Sequence, residues 1–273
     1  MIVDKTMERG ENMTYEAILV ETSEQIATIT LNQPEMRNPL TAQMIGELIQ
    51  AIRQADQDPD VRVIVITGSG DAFCAGGNLN EFRRTMEKSA PTLYDEGHRS
   101  SQLFKLGEEV RTPLIASVNG PALGGGCGLA AMCHITIASD RAKLGTTEFR
   151  LGLVPFVIFP WIRRAVGHKN ALEMMLTAKV MTAEEAREIG LVQRVVPHDQ
   201  LQEETRKLAR HVASFSPLAV KLGLDAFYTT EQMDLKKSID YLSTLRIVSF
   251  LSEDLREGAT AFLEKRPPEW KGR

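Results

Sequence analysis

Asn119-Gly120-Pro121-Ala122-Leu123-Gly124-Gly125-Gly126-Cys127-Gly128 is the stretch on which the reading of this chain turns. It follows a β-rich apolar run at 114–118 and leads into Leu129, Ala130 and Ala131, small apolar residues that suit a buried helix. Three consecutive glycines there cost conformational entropy, roughly 0.5–1 kcal/mol each relative to alanine within a helix. Such a run implies close approach by something, either a ligand or another strand. A second stretch, Phe73-Cys74-Ala75-Gly76-Gly77-Asn78, stands in the same relation to the apolar run at 63–67. Each could present a bare backbone N–H at the start of a helix, where no intrahelical partner exists and the local dipole favours negative charge. Gly76-Gly77 also fits a plain tight turn.

Outward from these stretches the pattern alternates between strands and helices. Residues 17–21 and 26–31 read as a hairpin turning near Glu24. Thr41 can cap a helix that carries Met44, Ile45, Leu48, Ile49 and Ile52 on one face, and Asp58-Pro59-Asp60 ends it. Helices are expected at 79–88 and 94–109, and short strands at 135–138, 143–145 and 192–196. Thr182-Ala183-Glu184-Glu185 reads as a capping box. From 199 to 264 nearly everything has helical period. The expectation is an α/β fold of repeated strand–strand–helix units, with a core over 13–198 and a helical C-terminal region over 199–273.

Composition narrows the function classes. The 273 residues are 43% hydrophobic and 25% charged, ordinary for a globular chain, and the net charge of −4 argues against a nucleic-acid surface. No apolar run approaches the roughly 18–20 residues of a membrane span. Residues 1–12 mix charges and lack the apolar core of a secretion signal. Cys74, Cys127 and Cys133 are odd in number and lack paired metal spacing, which fits reduced thiols in a cytoplasmic protein.

The glycine run lacks the G-x-G-x-x-G spacing of a dinucleotide fold, and the chain carries no phosphate-binding loop, H-E-x-x-H or G-x-S-x-G motif. What remains is a set of backbone donors and one nearby carboxylate. Glu148 lies in Thr146-Thr147-Glu148-Phe149, just before Leu151-Gly152-Leu153-Val154-Pro155. An isolated loop glutamate is usually solvated surface, but apolar surroundings would desolvate this one, raise its pKa and let it accept and return a proton.

Residues 73–77, 116–129 and 145–155, together with the tail Arg256-Glu257-Gly258-Ala259-Thr260-Ala261-Phe262-Leu263-Glu264-Lys265-Arg266-Pro267-Pro268, resemble the enoyl-CoA hydratase/isomerase (crotonase) superfamily in order and spacing. The resemblance implies a spiral of ββα units with a C-terminal helical trimerisation region, and a homotrimer or hexamer. It implies an oxyanion hole from the N–H groups of Gly77 and Gly125, holding the thioester carbonyl of an acyl-CoA substrate. No further cofactor, metal, nucleic acid or membrane partner is implied. Coenzyme A is expected along Arg37, Asn38 and the segment Ala72 to Ala75, with Lys265 of a neighbouring subunit reaching its phosphates or adenine. Phe156, Ile158 and Phe159 either line an acyl pocket or belong to the core.

Hydratases of the superfamily use two glutamates. One falls on Glu148, and the other falls on Gly128, which can neither take nor give a proton. The resemblance therefore favours the superfamily's isomerases, in which one carboxylate moves a double bond. A hydratase or another lyase, with a second acid supplied from elsewhere such as Glu81, is the alternative, and a non-catalytic acyl-CoA-binding subunit is another. Asn80 stands where many members carry a lysine near the CoA phosphates. His134 stands where an aspartate is usual and reads as structural. Arg163-Arg164 and Lys236-Lys237 read as solvated faces, and Met174-Met175 as core.

Overall fold

The computed structural model describes residues 15–273; the segment read above for a secretion signal lies outside them. In chain order the elements are β1 (Ile18–Ser23), β2 (Ile26–Leu31), α1 (Ala42–Gln57), β3 (Val63–Gly68), α2 (Leu79–Thr85), α3 (Ala90–Glu109), β4 (Leu114–Val118), β5 (Ala122–Leu123), α4 (Gly125–Met132), β6 (Ile135–Ser139), β7 (Lys143–Gly145), α5 (Phe159–Thr177), β8 (Met181–Thr182), α6 (Ala183–Glu188), β9 (Arg194–Val196), α7 (Leu201–Ala213), α8 (Pro217–Thr230), α9 (Leu235–Leu251) and α10 (Glu253–Glu264). The expected α/β spiral with a helical C-terminal region is the architecture observed.

Two sheets form its layers. The larger runs β1-β2-β3-β4-β6-β9; β1 and β2 are antiparallel and every later pair is parallel. The smaller runs β5-β7-β8. Parallel neighbours require crossovers, and in this chain the one from β4 to β6 carries β5 and the one from β6 to β9 carries β7 and β8 of the second sheet.

Strand β3 shows how period two divides the core. Val63 and Val65 face α7, in a cluster with Ile115, Ile137, Leu208 and Ala209. Ile64 and Ile66 face the opposite way, into the main core with Leu48, Ile52, Leu106 and Phe73. Burial on both faces explains why β3 and β4 are predominantly apolar without alternation.

Local signals account for most boundaries. Thr41 caps α1 by accepting from the Met44 N–H at 3.0 Å. The hairpin turns at Glu24 and Gln25, both with positive φ, 53° and 65°, as a two-residue turn between right-twisted strands requires. The capping box at Thr182 is complete: its hydroxyl accepts from Glu185 N, and the Glu185 carboxylate accepts from Thr182 N. Helix α3 begins four residues before the sequence suggests, because Ser89 caps it and Pro91 is tolerated in its first turn. Strand β9 begins two residues late, since Val192 N is drawn back to the carbonyl of Ala186. Met174 belongs to the core.

His134 has a structural place. Its Nδ1 accepts from Leu114 N at 2.7 Å, so its Nε2 carries the proton and donates to Gly107 O at 3.0 Å. Burial is the main reason its pKa is lowered from 6.5 to about 4. The folded chain thus holds this imidazole neutral where the unfolded chain would protonate it, and its contribution to stability is lost as pH falls from about 6.5 towards 4. An NMR titration of the ring carbons is expected to show a neutral Nε2–H tautomer down to near that value; an ordinary histidine titration would refute the assignment.

Candidate active site

The site is assembled by the second sheet and two isolated bridges that continue it. Leu40 pairs with Gly77 and Cys74 with Ala122. Leu40 N donates to Gly76 O at 2.8 Å, Cys74 N to Pro121 O at 3.0 Å, Leu123 N to Cys74 O at 3.0 Å and Gly124 N to Gly145 O at 2.8 Å. These four bonds join the first glycine loop, the second glycine loop and the segment leading to Glu148.

Gly76 has φ +95°, and a Cβ there would lie 2.8 Å from Leu123 O and 3.5 Å from Gly125 N. The two glycine loops therefore touch. Gly77 N–H and Gly125 N–H donate to no other group among the described residues. Gly125 opens α4, where the helix dipole favours negative charge. Gly77 does not open α2 as the sequence suggests: Asn78 is the cap, its Oδ1 accepting from Asn80 N at 2.9 Å and Glu81 N at 3.3 Å. Gly77 thus lies just outside the helix, with the ring of Phe82 folded back over its Cα.

The glycine run divides its tasks. Gly126 packs on the backbone of Cys74, so its bareness serves the approach of two chain segments. Gly124, with φ +52°, faces the carboxylate instead: a Cβ there would lie 3.1 Å from Glu148 Oε1. Glu148 begins the 3-10 turn Glu148–Leu151 that follows β7. It is half-buried, and its Oε2 is buried without a hydrogen-bond partner. Burial raises its pKa above the usual carboxylate range, opposed by hydrogen bonds from its own backbone and that of Thr147. Cys127, fully buried one turn along the glycine run, feels this carboxylate, and desolvation first and Glu148 second push its thiol up to about 12.

Gly128 lies one turn into α4, with its N–H bonded to the carbonyl of the cap residue Gly124 at 3.1 Å. The space beside its Cα is filled by Ile158, with Phe104 Cε1 at 3.3 Å from a notional Cβ. Leu40 covers Gly125, its Cδ1 2.9 Å from the corresponding position. The immediate walls are apolar: Leu40, Phe82, Phe104 and Ile158.

The remaining expected binding residues are distributed differently. Asn38 requires correction: it is fully buried, its Oδ1 accepts from Gln33 N at 2.9 Å, and its Nδ2 donates to Ser69 O at 2.9 Å and Ala72 O at 2.8 Å. Its side chain is spent on holding the loop and has none of its polar atoms left for a ligand. Ala72 is likewise buried and gives its carbonyl to Asn38. Arg37 is exposed with φ +63°, and its carbonyl accepts from Ala75 N at 2.9 Å, so these two do lie together beside the first glycine loop. Phe156 is 77% exposed, whereas Ile158, at 1%, is the residue of that segment that turns inward. Phe159 packs against the main core. Lys265 ends α10 in a left-handed conformation, exposed and without an ion pair among the described residues.

Sequence reasoning did not find Phe82 over Gly77 or Leu40 over Gly125. Their only signal was apolar character near the glycines, which does not reveal which way a side chain folds.

Comparison with known proteins identifies the family. Residues 21–273 match the family described as enoyl-CoA hydratase/isomerase. A probable enoyl-CoA hydratase of Mycobacterium bovis is 39% identical, covering 96% of this chain and 100% of its own. A crotonyl-CoA hydratase of Syntrophomonas wolfei is 38% identical over 93% of this chain and 97% of its own. The crystal structure of an enoyl-CoA hydratase from Bacillus anthracis superposes with a TM-score of 0.89 at 32% identity, covering 94% of this chain and all of that one.

Substitution at Gly125 separates its N–H from its size. Gly125→Ala and Gly125→Pro both press on Leu40, but only proline removes the donor, at a first helical position that accepts it. The proline variant is expected to turn over about 10²–10³-fold more slowly than the alanine variant, measured as kcat on an acyl-CoA substrate; equal rates would remove this N–H from the site.

Proposed function

The chain belongs to the enoyl-CoA hydratase/isomerase family, and within it we propose that this acyl-CoA enzyme moves a carbon–carbon double bond using Glu148 as its one proton carrier. The observation that carries the reading is the pairing of a desolvated carboxylate against Gly124 with a sealed, apolar position at Gly128.

In the proposed reaction the thioester carbonyl of a 3-enoyl-CoA sits between Gly77 N–H and Gly125 N–H. Glu148 removes a proton from C2. Negative charge passes to the thioester oxygen, where each donor contributes about 3–4 kcal/mol of stabilisation to the dienolate. The same carboxyl returns the proton at C4, leaving a 2-enoyl-CoA. The raised pKa suits this double role, because the group must bind a proton firmly enough to hold it and weakly enough to release it. Proton transfer within one substrate is redox-neutral and requires no co-reactant. Arg37 and the backbone at Ala75 are proposed to flank the coenzyme, with Lys265 meeting its phosphates from a neighbouring subunit. A homotrimer or a pair of trimers is proposed because α8 and α9 bury no residue in the isolated chain and expose Phe227, Leu235, Ile239, Phe250 and Leu251. The core over 13–198 and the helical region over 199–273 remain the proposed division of labour.

Water addition is the second reading, and it has its own support: the relatives described above are named as hydratases. Mass spectrometry of products from a 3-enoyl-CoA and a 2-enoyl-CoA decides between the two. Conversion of the first without mass gain supports isomerisation, and gain of one water by the second supports hydration. Binding without conversion of either supports a non-catalytic subunit.

Glu148→Gln is expected to lower kcat by about 10²–10⁴-fold while coenzyme A binding persists. It should also melt above the wild type at neutral pH. A carboxyl whose folded pKa is raised binds more proton folded than unfolded, so ionisation weakens the fold as pH rises through that raised value. The difference in Tm should therefore shrink as pH falls below the usual carboxylate range. A pH-independent difference would show that Glu148 is not desolvated.

A further inference from the structure

Glu148 and Ile158 pack against the two ends of the first turn of α4. Glu148 packs on Gly124, the cap of α4, and Ile158 on Gly128, whose N–H donates to Gly124 O at 3.1 Å. Helical side chains lean toward the N-terminus, so any side chain at 128 would lean over the Gly124 turn, into the space beside the Glu148 carboxylate. Ile158 already occupies the root of that path; its Cβ and Cγ2 abut the Gly128 Cα, and Phe104 closes the side. Ile158 is fixed there. It caps α5, its carbonyl accepts from Ile162 N at 3.1 Å, and it is buried while its neighbours Phe156 and Val157 are exposed.

Resting on the isomerase reading above, we infer that Ile158 is a specificity-determining residue: it fills the volume at Gly128 in which a second proton-transferring group would have to stand, and so confines the site to proton transfer by Glu148. The two residues form a reciprocal pair. A bare position 128 requires a bulky 158, because a small one would leave a void that water or a larger acyl group could enter. A functional side chain at 128 requires a small 158, because both cannot occupy one space.

A double-mutant cycle tests this in two ways. The first uses Tm of Gly128→Ala, Ile158→Ala and the pair. Each single change is expected to lower Tm, and Gly128→Ala to lower it less, or raise it, when Ile158 is already alanine. Additive shifts would overturn the packing relation. The second uses water addition to a 2-enoyl-CoA, followed by mass. Gly128→Glu combined with Ile158→Ala is expected to hydrate at least roughly ten-fold faster than the wild type or either single variant, and to lose that gain with Glu148→Gln. Hydration by Gly128→Glu alone at the rate of the pair would overturn the inference. So would a folded double variant with coupled Tm shifts but no gain. If Gly128→Glu cannot be folded in either background, the alanine cycle still decides. Efficient hydration by the wild type would defeat the isomerase reading and the specificity role together, whereas additive Tm shifts would defeat this inference and leave the isomerase reading standing.

Discussion

The row of backbone hydrogen bonds from Leu40 through Gly76, Cys74, Pro121, Leu123 and Gly124 to Gly145 is the constraint on which the site rests. No side chain makes any of these bonds. They tie together segments more than a hundred residues apart in sequence, and they fix the position of two N–H groups and one carboxylate relative to one another. Because the donors are main-chain atoms in a hydrogen-bonded network, reorganisation during reaction is small, which is the condition under which oriented dipoles are most effective. The burial of Asn38 serves the same end from behind: its three hydrogen bonds pin the loop after β3 to the loop after β2.

The walls around that network are as informative as the polar groups. Leu40, Phe82, Phe104 and Ile158 lie against Gly125, Gly77 and Gly128, so these three bare backbone positions are bounded by hydrocarbon side chains. In such surroundings a carboxylate loses hydration, which explains the direction of the Glu148 shift. The same absence of polar neighbours leaves Glu148 Oε2 without a partner, a cost that a purely structural residue would not be expected to carry.

Much of the architecture was legible in sequence because the signals were local. Thr41 and Thr182 announce their caps, runs rich in β-branched residues announce β2 and β3, and the apolar face of α1 follows from its spacing. Motif order singled out Glu148 and the glycine pair, which the structure brings together. The rest depended on relations between distant segments. Whether Gly126 makes room for a ligand or for Cys74 is decided by the bridge between Cys74 and Ala122, which no local pattern encodes. Asn38 looked like a polar loop residue, and its burial follows from the closeness of Ser69 and Ala72. Ile158 and Phe156, two residues apart in one apolar segment, have opposite fates because the turn before α5 points one inward and the other outward.

The buried thiols bear on how such a site survives its own chemistry. An α,β-unsaturated thioester is an electrophile toward thiolates, and Cys127 lies in the same glycine run that faces Glu148. Burial pushes its thiol, like those of Cys74 and Cys133, up to about 12, which holds it in the unreactive protonated form. A sulfur placed here would be a suicide nucleophile if it were hydrated or paired with a cation. Desolvation keeps it silent, so under the proposed function the packing that shapes the cleft would also keep this sulfur from reacting with an unsaturated thioester.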